Sequence, residues 1–381
     1  KVNVYFDNAA TTPLRAKVID SINDCMKNHY GNSSSSHSYG RDNKSLLENA
    51  RKSIASFINA NENEIVFTSG GSESNNSILR SCVRDLGVKT IISSPIEHNA
   101  VLNVLDLLET EGVNIKYVKL DKHGEVDLSD LEQILKSHEG VKLVSLMYIN
   151  NEIGNLLDID EVARICKLHN SFFHTDSVQA MGHYKIDLSF TPIDFLSASA
   201  HKFHGPKGIG FSFIRNGVNL NPFIIGGPQE RGLRAGTEAV DRIVGMQRAL
   251  EISYENHDSE KKHIQGLKKY FIEKLRSFFP EVYFNGHSEK MEKSSFKIVN
   301  VAIPINNSKS DLIDFHLDLK GIACSKGSAC QSGSSKGSHV IEEFKNKNKI
   351  LKKYPSLRFS FSFLNTKKEI DYLIESLLEL K

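Results

Sequence analysis

The apolar positions of the chain alternate between two periods. From Asp42, the side chains Leu47, Ala50, Ile54, Phe57 and Ile58 recur at helical spacing, and a short apolar run from Glu64 to Thr68 follows and ends in Ser-Gly-Gly. A period near 3.6 followed by a brief continuous apolar stretch predicts a helix and then a strand feeding a turn. The same unit recurs downstream. KTIISS precedes a helix carrying Val104, Leu105 and Leu108; NIKYVKL precedes SDLEQILKSH; KLVSLMYIN precedes DIDEVARICKLHN; strand-like SFFHTD, DFLSAS and GIGFSFIR come next. Strands separated by helices require right-handed crossovers, so the expected fold class is α/β, with a mainly parallel sheet covered by helices on both faces.

Beyond Asp241 the pattern changes. One helix is expected over 241–254, and a second, charge-rich one carries Ile264, Leu267, Phe271, Leu275 and Phe278 before Pro280. Strand-like KIVNVAIP, a Gly/Ser/Lys run around Cys330, strand-like LRFSFSF and a final helix follow. That helix opens with a capping box from Thr366 to Glu369 and buries Ile370, Leu373, Ile374 and Leu377. A chain of 381 residues exceeds one ordinary core. The expected division is a large domain over 15–255 and a smaller α+β domain made of 1–14 and 256–381.

Composition removes several classes of function. Basic side chains number 48 against 46 acidic ones, a net charge of +2, which argues against direct nucleic-acid binding or a membrane surface. No apolar run approaches the ~20 residues of a membrane span, and the start, KVNVYFDNAATTP, lacks the apolar core of a signal peptide. A soluble, cytoplasmic protein is expected. The five cysteines, Cys25, Cys82, Cys166, Cys324 and Cys330, are scattered without CxxC pairs, as suits a reducing compartment better than a disulfide framework or a structural zinc site.

Ligands of open α/β sheets bind beyond the carboxyl ends of the strands, and the chemically capable residues fall there. Ser69-Gly70-Gly71-Ser72 follows the first strand, His98 follows KTIISS, Asn150 and Asn151 follow KLVSLMYI, Asp176 ends SFFHTD, and Lys202 follows DFLSAS. Each has a plain structural reading, Lys202 as part of a basic surface loop and the glycine turn as a capped helix. Together they point to one site. The glycines let the backbone approach a ligand, Ser72 or Ser74 can cap a helix beginning near Glu73, and the helix start favours a phosphate. The absence of GK[ST] excludes a Walker loop. A lysine amine can build a Schiff base, and a buried Asp176 asks for a cationic partner such as a pyridinium nitrogen. Gln179 offers a neutral hydrogen-bonding group one turn on. Amine, aspartate and phosphate cradle are the parts that pyridoxal 5′-phosphate chemistry uses, with His98 as a flat partner for the ring. A metal site on His98, His201 and His204 lacks the usual i, i+4 pair and carboxylate, and no metal is expected.

Cys330 lies in a Gly/Ser-rich run expected to be mobile, with Lys326 and Lys336 nearby to favour thiolate; its plain reading is a chance surface cysteine. Cys324 has an apolar flank and is expected to pack, and the other three lie in helical patterns as inert thiols. A reactive cysteine beside a pyridoxal site suggests sulfur chemistry.

The motifs FDNAATTP, TSGGSESNN, EHNAV, NNEIG, HTDSVQ, SAHKFHGPKGIG, ERGLRAGTEAV and GSACQSGS, in this order, resemble those of cysteine desulfurases of the class V aminotransferase family, over nearly the whole chain. The segment around GSAC is similar to the group with a long, mobile catalytic-cysteine loop. The resemblance implies a pyridoxal phosphate fold of type I. It further implies that Lys202 forms the Schiff base and moves protons, His98 stacks on the ring, Asp176 holds the pyridine nitrogen and Gln179 bonds the phenolic oxygen. Gly71, Ser72, Ser199 and His201 would hold the phosphate, with Thr237 reaching across from the second subunit of a homodimer. Asn151 and Arg358 would orient L-cysteine. Cys330 would take its sulfur as a persulfide, leaving L-alanine, and pass it to an iron–sulfur scaffold or sulfur-carrier protein. The sequence departs from the family pattern at Ser72, where many relatives have Thr, at GGPQE (Gly226 to Glu230), at SFSFLNT after Arg358, where a second arginine is common, and in GNSSSSHSYG, which lacks the family's proline. Alternatives are a selenocysteine lyase, another pyridoxal-dependent aminotransferase, or a weakly active sulfur-transfer scaffold.

Overall fold

The computed structural model describes residues 3–305, 312–326, 337–345 and 348–381. The chain opens on a two-residue strand, β1 (Val4–Tyr5), and then builds its main sheet from β2 (Ile65–Thr68), β3 (Thr90–Ser93), β4 (Asn114–Tyr117), β5 (Lys142–Ser145), β6 (Phe172–Asp176), β7 (Phe195–Ser199) and β8 (Gly210–Ile214). Their order across the sheet is β2-β8-β7-β6-β5-β3-β4. Neighbours from β7 to β4 are parallel; the helices Asn99–Thr110, Leu128–Ser137 and Ile159–Leu168 make the connections from β3 through to β6, and the segment 177–194 leads from β6 to β7. The exception is β8, which is antiparallel to both β7 and β2. The connection 200–209 is too short for a crossover of a dozen or more residues, so the chain reverses and pairs at once. Since β8 reverses twice, β2 again runs with β7, and the carboxyl ends of β2, β3, β5, β6 and β7 face the same way.

Strands β5 to β7 are buried along their length, as the near-continuous apolar runs demand of a sheet covered on both faces. A long helix, Val240–Glu255, packs on this layer beside Ala16–Asn28 and Ser38–Phe57. No helix among the described residues is long and apolar enough to cross a membrane.

A second apolar cluster joins the two ends of the chain. The helix His257–Phe278 packs on Lys367–Leu378 and on an antiparallel sheet of β9 (Tyr283–Phe284), β10 (Ile298–Ala302) and β12 (Ser356–Ser360), in the order β12-β10-β9. β1 pairs in parallel with β11 (Ile322–Ala323), which brings Val4 and Phe6 into the same core. Phe271 is fully buried at its centre, edge-on to Phe359 at 5.1 Å and Phe361 at 5.6 Å, while Phe6 meets Phe361 at 5.3 Å. This aromatic knot has a consequence for the site, because Asp7 and Arg358 are the next residues along their strands. Phe271→Ala is expected to cost about 3–5 kcal/mol through lost burial and a cavity. A urea midpoint unchanged from native would disprove that packing.

Candidate active site

A cavity of about 180 Å³ lies at the carboxyl ends of the main strands, and it gathers most of the residues singled out from the sequence. Gly71 and Ser72 reach it from the turn after β2, His98 from the segment after β3, and Asn151 from the turn after β5. Asp176 and Gln179 reach it from the end of β6 and the turn beyond. Ser199, His201 and Lys202 come from the end of β7 and its 3₁₀ turn, and Arg358 comes from β12.

The glycine turn works differently from the sequence expectation. The helix runs Gly71–Leu86 and begins at Gly71, two residues before Glu73; its N-cap is Gly70, at φ 146°, without a side-chain cap. Ser74 Oγ instead pairs with Thr68 Oγ1 at 2.8 Å. A Cβ at position 71 would stand 2.7 Å from Val178 Cγ2, so only glycine lets the helix start sit this close to the β6 turn. The first turn of a helix carries N–H groups without intrahelical partners, and its positive end favours an anion. Glu73 does not oppose that, because its carboxylate is turned to Arg234 at 2.9 Å.

Asp176 is nearly buried and fixed at both oxygens by neutral donors. Asn75 Nδ2 donates to Oδ2 at 2.8 Å, and the Val178 N–H donates to Oδ1 at 3.0 Å. Beneath it, the buried His174 bridges Ser145 Oγ at 2.8 Å and Ser197 Oγ at 3.0 Å, and burial pushes its pKa down to about 4. A neutral imidazole there ties β5, β6 and β7 together under the carboxylate. Gln179 Nε2 donates to the Ala9 carbonyl at 2.8 Å, and its buried Oε1 has no partner among the described residues.

Lys202 Nζ is half-buried and donates to the carbonyls of Ala9 at 2.7 Å and Ala10 at 2.8 Å. His98 caps the helix Asn99–Thr110, its Nδ1 accepting from the Ala100 N–H at 3.0 Å, so a neutral ring carries its proton on Nε2. Burial lowers the His98 pKa, with Asp176 opposing and Lys202 assisting. Burial also lowers that of His201 to about 4, with Lys202 adding to the effect; its Nδ1 lies 3.1 Å from Thr11 Oγ1. Both imidazoles are therefore neutral donors at physiological pH.

Arg358 is fully buried. Its Nη2 donates to Asp7 Oδ1 at 2.8 Å and Ser325 Oγ at 3.0 Å, its Nη1 donates to the Asn151 carbonyl at 2.8 Å, and its Nε has no partner among the described residues. His204, at φ 65°, lies outside the cavity wall; its Nδ1 donates to the Pro13 carbonyl at 2.8 Å, holding the N-terminal segment in place. Thr237 is exposed and apart from the cavity. Cys330 and Lys336 lie outside the described residues, as does most of the run expected to be mobile. The thiols of Cys25, Cys82 and Cys166 are buried, and Cys324 packs against the second core.

The site also holds residues that sequence reasoning gave no role. Asn75 lies one helical turn beyond Gly71 in the quoted TSGGSESNN motif, and Ala9 and Ala10 sit in FDNAATTP. These fit pyridoxal phosphate. An amine, a carboxylate bonded by Asn75 and the Val178 N–H, an amide oxygen without a partner among the described residues and a helix start with serine hydroxyls surround one cavity. A pyridinium nitrogen would supply the cation that Asp176 lacks among its described bonds.

A family model described as aminotransferase class-V matches residues 4–373. The chain is 39% identical to the cysteine desulfurase IscS of Dictyoglomus turgidum over 380 residues, 99% of this chain and 94% of that one. Among solved structures, a NifS-like protein superposes with a TM-score of 0.90 at 34% identity, covering 99% of both chains. SspA in complex with cysteine superposes with a TM-score of 0.79 at 28% identity, covering 96% of this chain and 100% of that one.

Proposed function

Given that the chain belongs to the class-V aminotransferase family and is a pyridoxal-phosphate-dependent cysteine desulfurase, we propose that the cavity around Lys202 converts L-cysteine to L-alanine and delivers the sulfur to Cys330. The observation that carries this reading is the convergence of Lys202 Nζ, Asp176 and the start of the helix Gly71–Leu86 on one enclosed space. Bound there, the cofactor supplies an electrophilic carbon for the amine and an electron sink for the substrate carbon.

The chain's own residues divide the work. Gly71, Ser72, Ser199 and His201 hold the phosphate, and Thr237 of a second subunit reaches the same group. Asp176, oriented by Asn75, keeps a proton on the ring nitrogen. The neutral His98 would stack on the ring, and the N–H of Gln179 Nε2 not used by the Ala9 carbonyl would bond the phenolic oxygen. Arg358 binds the substrate carboxylate, its guanidinium pre-aimed by Asp7, and Asn151 holds the substrate beside it. Lys202 would be the residue that holds the cofactor, and its amine would then carry protons between the substrate carbons. Cys330 attacks the substrate sulfur as thiolate. The carbon–sulfur bond breaks, a sulfur–sulfur bond forms, and a proton returned to carbon completes alanine.

The same reading divides the chain into a large domain over 15–255 and a small one from 1–14 and 256–381, and makes the protein a cytoplasmic homodimer. Exposed Met26, Tyr30 and Tyr39 on or beside the first two helices, with Ile225 near Thr237, offer the apolar surface for pairing. The acceptor is an iron–sulfur scaffold or a sulfur-carrier protein. The test is product release from L-cysteine with a dithiol reductant. Alanine and sulfide are expected in equal amounts; pyruvate or keto-acid release in their place would overturn the reading.

A further inference from the structure

Two lysines are completely buried away from the cavity wall, Lys268 and Lys297, and they are bonded in different ways. Lys268 Nζ donates to Ser294 Oγ at 2.8 Å and to the Ser295 carbonyl at 2.7 Å, the arrangement of a satisfied structural amine. Lys297 Nζ, 3.0 Å from His183 Nε2, is placed otherwise. That same imidazole nitrogen lies 2.9 Å from the carbonyl oxygen of Lys202. One nitrogen thus stands between a buried amine and the backbone of the residue assigned above to hold the cofactor.

A neutral imidazole nitrogen either donates or accepts. A protonated Lys297 has only donors, so it requires a bare Nε2, and the Lys202 carbonyl then loses its bond to His183. A neutral Lys297 can accept, and Nε2–H is then available to the carbonyl. We propose that Lys297 is a positioning residue for Lys202, acting through His183, its proton deciding both the hold on the Lys202 backbone and the positive charge beside the cofactor linkage. This rests on the assignment of Lys202 in the reading above.

The surroundings favour such a role. Burial pushes Lys297 down to about 7, and Lys202 and Arg358 push in the same direction. The groups facing it from the packed elements are mainly bases. His183 comes from the turn after β6, His201 and His204 from the turn after β7, Arg15 from the segment before the first helix, and Arg358 from β12; Lys297 lowers the pKa of all three histidines. Arg358 is offset by Asp7 at 2.8 Å and Arg15 by Glu260 at 2.8 Å. Like charge beside an amine is a general means of keeping it reactive at neutral pH. Burial alone lowers Lys268 to about 7, and this lysine provides the internal control.

The test follows the visible absorption of the pyridoxal-phosphate-loaded enzyme against pH, without substrate. Lys297→Met removes the neighbouring cation, and the midpoint of the band's transition is expected to rise by about one pH unit. Lys297→Arg keeps the charge at every pH and is expected to leave the midpoint at or below the native one. Lys268→Met is expected to leave it unmoved. A Lys297→Met midpoint equal to native, with the band intact, overturns the proposal. Should the Met variant not bind cofactor, Lys297→Gln gives the same reading, and loss of the band in both while Lys268→Met retains it assigns Lys297 a structural role and overturns the proposal as well. A native protein that shows no visible band defeats the assignment of Lys202 itself, whereas a band with unmoved midpoints defeats the present inference alone.

Discussion

Lys202→Ala is expected to abolish alanine release from L-cysteine by a factor on the order of 10⁴ or more while leaving the protein folded. The side chain does two jobs that nothing else in the cavity duplicates. In the reading proposed above, its Nζ is the amine that holds a carbonyl carbon and the base that moves protons between substrate carbons. The imidazoles nearest it are weak substitutes, because burial lowers the proton affinity of His98 and His201 and each is committed at Nδ1, to Ala100 N–H and Thr11 Oγ1. The structural cost is small by comparison. The carbonyls of Ala9 and Ala10 lose a donor in a half-buried setting, a penalty of about 1–3 kcal/mol each at most. Borohydride reduction of the loaded native protein should fix the cofactor permanently on the chain, and the variant should release it on denaturation. A variant that turns over at the native rate, or a native protein that borohydride fails to label, would refute the role of Lys202.

The sheet and the placement of its ligand-facing residues were legible because both follow from local rules. Short continuous apolar runs and period-3.6 stretches alternate from Asp42 to Asp194, and in such a sheet the strand ends share one side. Residues at those ends, from Gly71 to Lys202, therefore converge regardless of the loops between them. What the pattern could not show is carried by backbone or by long-range pairing. Ala9 and Ala10 act through carbonyl oxygens, which no side-chain pattern marks. Asp7 meets Arg358 only because β1 pairs with β11 and the chain's two ends share one aromatic core. The glycine turn was read as a serine-capped helix because Ser72 and Ser74 are good caps. Gly70 instead takes a conformation that other residues avoid, and the crowding of Gly71 against Val178 sets the start of the helix. Lys297 was invisible in the strand-like run KIVNVAIP, since a lysine beside a strand ordinarily faces water.

The second large effect is expected at Cys330. Cys330→Ser should retain the cofactor's visible colour and its change on adding L-cysteine, yet lose alanine and sulfide release by a factor on the order of 10³ or more. The reasoning starts from the other four thiols. Burial pushes Cys25 up to about 11 and raises Cys82, Cys166 and Cys324 above the ordinary thiol range, so none offers appreciable thiolate at neutral pH. The proposed reading therefore assigns the thiolate to Cys330, and the described residues that flank its segment on both sides lie by the cavity. On one side, Ser325 pairs with Arg358 through both backbone groups and donates its hydroxyl to Asp7 at 2.8 Å. On the other, Ser338 donates to the buried carboxylate of Glu152, and His339 Nε2 lies 2.9 Å from the Glu97 carbonyl, next to His98. Cys330 stands five residues from the first anchor, which limits its Cα to about 17 Å from Ser325. That tether length is compatible with the proposed delivery of sulfur from a substrate held at Arg358 to Cys330. Serine preserves size and polarity but cannot form the sulfur–sulfur bond, so the block should fall after substrate binding. If the serine variant released alanine and sulfide at the native rate, sulfur would be leaving without Cys330, and the cavity would belong to a lyase that needs no protein thiol.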